Sequence, residues 1–163
     1  LAKELELGEG TARTILKILK SKKLLEQTKK GHFLSKKGEE ILQRICSHIS
    51  IPKSITIHDI YPDSKKIGMQ IKNARHLTQL YKLRDIAVKN GAEGAIILRF
   101  DGKLYAPGME HERSYKELEK YFNFKNNDAL IIAFSDKKKL AENGALAIAI
   151  ELSSILKIFI SEF

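Results

Sequence analysis

The spacing of apolar residues near the start of the chain predicts a short helical segment followed by an amphipathic helix. Residues 1–7 have apolar positions at the spacing of one buried stripe, and Gly8 then predicts a sharp turn. Over residues 11–22 the interval is three or four, which is typical of a helix that buries one face. Its apolar positions are Ala12, Ile15, Leu16 and Leu19. The opposite side is polar and carries Arg13, Thr14 and Lys17, with Lys20 at its margin.

The pattern then predicts a hairpin and a third helix. Residues 24–28 and 32–34 flank Lys29-Lys30-Gly31, which is typical of two short strands joined by a glycine turn. Ser35 is expected to cap a helix from Lys36 to about His48. The apolar face of that helix is expected to consist of Ile41, Leu42, Ile45 and Ile49.

The second half of the chain mixes predicted strands and helices. Pro52 indicates a linker over residues 50–54, because proline resists helix continuation. Strands are predicted over 54–60, 67–72, 95–100, 103–106 and 128–134, and helices over 77–89, 114–122 and from Asp136 to about 152. Residues 155–163 fit a strand or a helix. Since there is no regular βαβ repeat, the predicted fold class is α+β.

Local signals place the turns and caps of this half. Asn90-Gly91 is expected to stop a helix, and Asp101-Gly102 to form a two-residue hairpin turn. Ser114, with Glu117 in the reciprocal position, and Asp136 are expected to cap helices. The predicted domains are therefore residues 1–50 and residues 54–163.

Charge separates these two halves. Residues 11–37 contain nine Lys/Arg and one acidic residue, Glu26, so they carry +8 of the chain's net +9. Residues 38–163 contain 19 Lys/Arg and 16 Asp/Glu. Positive charge this concentrated is typical of a site for a polyanion, and phosphate neutralisation supplies much of the affinity of proteins for DNA.

Composition narrows the classes of protein. A hydrophobic content of 43% with 30% charged residues is typical of a folded domain. The single cysteine, Cys46, excludes an internal disulfide framework and a zinc site built on cysteines. No secretory signal or membrane span is visible, so we expect a cytoplasmic protein that does not bind membranes.

The ordered motifs of the first half resemble prokaryotic winged helix-turn-helix transcriptional regulators. The Gly10-Thr11-Ala12-Arg13 start is similar to the Gly-Thr-Val-Arg pattern of their recognition helix. The run from Gly31 to Gly38 resembles their wing and the start of the next helix. Such modules have another helix before this segment, so we expect residues upstream of Leu1, because an apolar face would otherwise stay exposed.

The second half resembles an uncharacterised archaeal family in which a winged helix precedes a small α+β domain of unknown function. The resemblance lies in residues 91–95 and 104–108. Regulators with this domain order often join a DNA-binding domain to a domain that dimerises or binds a small molecule. The candidate effector-binding residues lie along one hairpin: Arg99, Asp101, Lys103 and Tyr105.

Catalytic motifs are not evident. His111 is flanked by Glu110 and Glu112 too closely for a standard metal site, and His58-Asp59 could complete one only if the fold brought them together. We therefore predict no enzyme activity, no cofactor and no bound metal. A small-ligand or metal-dependent enzyme, whose winged helix only contacts proteins, is the alternative.

The sequence thus predicts a homodimeric transcriptional regulator that binds double-stranded DNA through helix 11–22 and a basic wing, residues 28–33. Thr11, Arg13 and Thr14 are expected to reach base edges, with Arg13 able to bind guanine through both arms of its guanidinium. The residues expected to contact phosphates and set the register are Lys17, Lys20, Lys29, Lys30 and Lys36. His32 in the wing is a further expected DNA-binding residue. A small-molecule effector is a further expected partner, and RNA is an alternative to DNA.

Overall fold

The computed structural model describes residues 2–74, 77–109 and 113–161, and the chain divides into two compact units, Leu1–Cys46 and Ser47–Phe163. The first unit contains helix α1 (Glu9–Ser21), strands β1 (Leu25–Thr28) and β2 (Gly31–Leu34), and helix α2 (Lys36–Cys46). The mixture of helices and antiparallel sheets confirms the α+β class.

The predicted hairpin is confirmed. Strands β1 and β2 are antiparallel, and their register runs from Leu25 opposite Leu34 to Thr28 opposite Gly31. Gly31 has φ +131°, a backbone conformation that residues with a side chain rarely adopt. Lys29 and Lys30 lie in the turn between the two strands and form the exposed tip of the hairpin.

Ser35 caps α2 as predicted. Its hydroxyl accepts a hydrogen bond from the amide of Gly38 (3.0 Å) and donates one to the carbonyl of Lys23 (2.6 Å). Helix α2 ends at Cys46, two residues before the predicted end near His48. Leu42 does not belong to a buried face either, since 44% of its surface is exposed.

The predicted helical segment over residues 1–7 is also wrong within the described residues. Residues 2–6 form turns, in which the amide of Leu7 donates to the carbonyl of Ala2 (2.9 Å). Glu6 has φ +51°, so a right-handed helix cannot pass through it. Helix α1 begins at Glu9, two residues earlier than predicted, after the extended residue Gly8.

The second unit is built on a five-stranded antiparallel sheet. Its strands are β3 (Lys53–Ser54), β4 (Lys65–Ile71), β5 (Gly94–Asp101), β6 (Lys103–Tyr105) and β7 (Ala129–Ser135), in the spatial order β3-β4-β7-β5-β6. Helices α3 (Leu80–Lys89), α4 (Lys138–Leu152) and α5 (Ser154–Ser161) and a 3₁₀ helix (Lys116–Tyr121) complete it.

The sheet separates two apolar layers. Successive side chains of the fully buried strand β7 point to opposite faces. Leu130 and Ile132 belong to a core cluster that also contains Tyr115, Leu118 and Phe122 from around the 3₁₀ helix. Alternation places Ile131 on the other face, where α4 packs against β4 and β7.

The predicted strand over 54–60 is only partly formed. Strand β3 ends at Ser54, and the amide of Ile55 still donates to the carbonyl of Lys66 in β4 (3.1 Å). The next amide, that of Thr56, donates to the hydroxyl of Tyr121 (3.2 Å) and not to a strand. Ile55 and Ile57 are nevertheless buried, as their alternation predicted. The side chains pack as expected although the backbone leaves the sheet.

The predicted helix over 114–122 is a 3₁₀ helix, in which the amide of Leu118 donates to the carbonyl of Tyr115 (2.9 Å). Tyr115 and Leu118 are both buried, and their separation of three matches the three residues per turn of that helix. Ser114 precedes the cap residue and makes only a 3.5 Å contact with the amide of Lys116, so the predicted cap is wrong.

Other boundaries differ by a few residues. Helix α3 begins at Leu80, after the left-handed residue Gln79, and ends before Asn90 and Gly91 (φ +97°) as predicted. The turn between β5 and β6 holds Gly102 alone, because Asp101 pairs with Lys103.

Asp136 is not the cap of α4. Its amide donates to Glu93 Oε1 (3.0 Å), and the cap residue is Lys137. The ambiguous segment after Ile155 belongs to α5 as far as Ser161.

Among the described helices, none is long and apolar enough alone to cross a membrane. By length and composition only, α4 and α5 pass that test when joined, but they are bent by 101°.

Candidate nucleic-acid interface

The cations of residues 11–37 lie on the surface of the first unit. Arg13, Lys17 and Lys20 are exposed on α1, at the spacing i, i+4 and i+7 of one helical face. Lys29 and Lys30 are exposed at the hairpin tip, and Lys36 is exposed at the first position of α2. We call these six residues the basic surface.

Few carboxylates compete for the basic surface. Arg13 Nη2 lies 3.4 Å from Glu9 Oε2, but the two side chains are 76% and 81% exposed, so this pair contributes little to stability. Lys17, Lys29, Lys30 and Lys36 make no ion pair among the residues that the structure describes. Most of this charge is therefore open to an external anion.

Hydrogen bonds join the elements that carry the basic surface. Lys20 Nζ on α1 donates to Gln27 Oε1 on β1 (3.0 Å). Lys37 Nζ on α2 donates to the carbonyl of Lys22, just after α1 (3.3 Å). These contacts bring the end of α1 next to the hairpin and to the start of α2.

The remaining predicted contact residues have different surroundings. Thr14 is exposed, and its hydroxyl donates to the carbonyl of Gly10 (3.0 Å). Thr11 is exposed in the first turn, but it is two positions from Arg13 and so projects to another side of the helix. His32 is exposed and lines an apolar cleft.

That apolar cleft, of about 310 Å³, lies between α1 and the hairpin. Leu5, Ile15, Leu19 and Phe33 are among its lining residues. Ala12 is the buried residue of α1, whereas Ile15 and Ile18 are largely exposed. The cleft is therefore chemically distinct from the basic surface of the same unit.

The four candidate effector residues separate into two groups. Lys103 and Tyr105 line a cavity of about 510 Å³ in the second unit. Arg99 donates to Asn127 Oδ1 (3.0 Å), and the exposed Asp101 lies at the hairpin turn; neither lines the cavity. Arg113, Lys116 and Glu119, which sequence reasoning missed, are further charged residues of its described lining.

The described residues provide no support for the alternative metal site. Within residues 2–74, 77–109 and 113–161, no three His, Cys, Asp or Glu side chains are grouped to hold an ion. Asp59 instead forms an ion pair with Arg113 (3.3 Å). Glu110, His111 and Glu112 lie outside the described residues.

Comparison with known proteins places the chain among uncharacterised relatives. Residues 62–152 match the family described as "Domain of unknown function (DUF4443)". The chain belongs to this family. Residues 1–40 match the "PH0730-like, N-terminal domain".

A solved structure agrees with that assignment. The chain resembles the "Hypothetical protein PH0730 from Pyrococcus horikoshii OT3", with 31% sequence identity and a TM-score of 0.76. The alignment covers 96% of this chain and 86% of that one. No curated protein matches the chain. The resemblance to an uncharacterised archaeal family is thus confirmed, whereas the regulator interpretation stays a prediction.

Proposed function

We propose that the first unit is a winged helix-turn-helix domain and that the protein is a transcriptional regulator that binds double-stranded DNA. The observation that carries this proposal is the basic surface, which is exposed and has little acidic counter-charge on α1, the hairpin tip and the start of α2. A cationic surface with open lysines neutralises phosphates and releases their counterions on binding.

The order of elements supports DNA over a generic polyanion. A helix of 13 residues precedes a two-stranded hairpin with lysines at its tip. An α-helix fits the major groove, while a basic hairpin beside it contacts the phosphate backbone. Helix α1 is the proposed recognition helix, and the hairpin is the proposed wing.

The proposed roles follow the position of each side chain. Arg13 and Thr14 on α1 reach base edges, whereas Thr11 projects to another side of the helix than Arg13 and is given no base contact in the proposal. The lysines of the basic surface bind phosphates. The second unit would pair two protomers on a two-fold operator, and a homodimer is therefore part of the proposal.

Direct titration tests this function. Five lysine–phosphate contacts predict that log K falls with log salt concentration at a slope of about −4.5 for a duplex. Fluorescence anisotropy with duplex DNA and duplex RNA of equal length, at several salt concentrations, measures it. A protein that binds neither duplex, or binds both with equal affinity, would contradict a DNA-specific role.

Arg13→Ala is expected to relax base preference by about 1–3 kcal/mol at one base pair, because a bidentate contact to guanine is lost. The measurement uses a duplex selected from a random pool by the parent protein, together with its single-base-pair variants. The matched control is Arg13→Lys, which retains the charge and loses the planar fork. Both variants should lose discrimination at the same position, and unchanged discrimination in both would remove Arg13 from base readout.

A further inference from the structure

A pocket of about 300 Å³ lies at the β3–β4 edge of the sheet in the second unit. Its lining comes from residues 54–58 and 64–66, together with Pro62 and Lys138. We call it the lysine pocket. We infer that it binds a small phosphate monoester whose body carries hydroxyl groups. This inference goes beyond DNA binding, and it does not depend on it.

Lys66 brings a buried positive charge to the lysine pocket. Only 7% of its surface is exposed. Its ammonium group donates to the carbonyls of Tyr61 (2.7 Å) and Ser64 (3.0 Å), which are neutral, and it forms no ion pair within the described residues. One of its three N–H donors therefore has no acceptor among them. Because a buried charge is costly without a counter-charge, Lys66 would stabilise an anion bound in the pocket.

Lys65 supplies a second cation. It lines the same pocket, is exposed, and makes no hydrogen bond or ion pair in the part of the chain that the structure describes. Two ammonium groups without a counter-charge match a phosphate monoester, which carries a charge of about −1.5 to −2 at neutral pH. A carboxylate or a phosphodiester carries a single negative charge and would leave one ammonium group unneutralised.

The carboxylates beside the pocket do not neutralise these two lysines. Glu142 lies 3.5 Å from Lys138, so Lys138 contributes no unpaired charge. Glu93 accepts hydrogen bonds from the hydroxyl of Ser64 (3.3 Å) and from a backbone amide (3.0 Å). Asp63 is exposed in the same loop and is not among the described lining residues. The attraction for an anion therefore depends on the two lysines that have no acidic partner.

A second part of the lining is polar and uncharged by carboxylates. Ser54, Thr56 and His58 alternate with the buried Ile55 and Ile57, so the three polar side chains point away from the core. All three are exposed, and their side chains make no hydrogen bond within the described residues. Hydroxyl groups of a ligand could therefore form hydrogen bonds with them, which favours a polar body.

Calorimetric titration of the full chain tests the pocket with four probes. Glycerol 3-phosphate has the proposed chemistry, and phenyl phosphate replaces its polar body by an apolar ring. Dimethyl phosphate is a singly charged diester that represents the DNA backbone, and glycerol has no charge. We expect saturable binding of glycerol 3-phosphate, weaker binding of the other two phosphates, and no binding of glycerol.

Two variants locate the binding. Lys66→Gln should weaken the binding of glycerol 3-phosphate about tenfold or more, because a buried hydrogen bond from a charged group is lost. Lys65→Gln should weaken it about fivefold, since this ammonium group is exposed and screened by water. Lys65 makes no bond that its replacement would break, so its variant is expected to fold even if Lys66→Gln does not.

The matched control is Lys125→Gln, which removes the same charge from the same unit. Lys65 begins β4, whereas Ile71 ends it and pairs with Ala129. The amide of Lys125 donates to Asp128 (2.8 Å), next to that pair. Lys125 is therefore roughly 20 Å along the strand from the lysine pocket, beyond the screening length at physiological salt. Its replacement should leave the affinity unchanged.

Three results would overturn the inference. The first is the absence of saturable binding of glycerol 3-phosphate. The second is binding of phenyl phosphate or dimethyl phosphate as tight as that of glycerol 3-phosphate. The third is equal affinity in Lys65→Gln and Lys125→Gln. Duplex affinity is not measured in any arm, so this test and the DNA titration succeed or fail separately.

Discussion

Gly38→Ala is expected to destabilise the first unit by about 3 kcal/mol or more, because α2 packs against the backbone at this position. A Cβ atom built on Gly38 would overlap the carbonyl oxygen of Leu24, and the side chain of Leu34 lies 3.2 Å from it. The amide of Ser35 already donates to that same carbonyl (3.0 Å). Relief of the overlap would therefore pull α2 away from the base of the hairpin.

The control for this substitution lies in the other helix of the same unit. Gly10 is within α1, and apart from its chain neighbours and the backbone of its own helix no atom lies within 4 Å of a Cβ built on it. Gly10→Ala should therefore be neutral or stabilise by up to about 1 kcal/mol, because alanine is the better helix former. Amide hydrogen exchange in α1 and α2 measures both variants, and equal protection in the two proteins would show that α2 packs differently.

The cost of Gly38→Ala should be visible in DNA binding as well. The start of α2, which carries Lys36, and the base of the hairpin are held together by the contacts of Ser35 with Lys23, Leu24 and Gly38. Within the described part of this unit, Ala12 and Leu24 are the buried apolar residues. We therefore expect the unit to have a small free energy of unfolding. Affinity for a duplex should fall with the folded fraction of the unit.

Local patterns predicted the parts of the fold that local interactions decide. The hairpin depends on Gly31, which adopts a backbone conformation suited to glycine, and the start of α2 depends on Ser35, whose hydroxyl bonds to the amide three residues later. Strand β7 is a continuous apolar run in the centre of a sheet. Each of these signals and its physical cause lie within a few residues of sequence.

Distant contacts decided the parts that the pattern could not predict. Thr56 leaves the sheet because its amide bonds to Tyr121, 65 residues away in sequence. Asp136 does not cap α4: its carboxylate accepts from the hydroxyl of Ser135 (3.1 Å), its amide donates to Glu93, and the cap residue is Lys137. Neither partner could be identified from spacing along the chain, although the burial of Ile55 and Ile57 could.

The same distinction separates the two candidate sites. The basic surface could be proposed from sequence because its cations lie within 27 successive residues and the helical period assigns them to a face. The cavity could be predicted only in part: Lys103 and Tyr105 follow from the hairpin pattern, whereas Arg113 and Lys116 belong to a separate stretch of the chain that no local pattern links to it. Arg99 and Tyr105 are paired across strands, yet the bond of Arg99 to Asn127 keeps it out of the cavity lining.

Removing four lysines from the basic surface is expected to have the largest effect on function. In a Lys17→Gln, Lys29→Gln, Lys30→Gln and Lys36→Gln variant, the salt slope of duplex binding should fall by about 3.6 units. Affinity at about 0.1 M salt should fall by roughly a thousandfold, because four sets of counterions are no longer released. These side chains are exposed and unpaired among the described residues, so folding should be nearly unaffected.

A four-lysine variant of the second unit tests whether DNA binding depends on the position of the lysines or only on the net charge of the chain. Lys82, Lys89, Lys120 and Lys125 are exposed there, and none of them lines the cavity. Replacing these four by glutamine also removes four of the chain's excess positive charges. If α1 and the hairpin form the DNA-binding face, this second variant should retain the slope and most of the affinity. Equal losses of duplex affinity in the two variants would mean that binding depends only on net charge. The basic surface would then have no specific role.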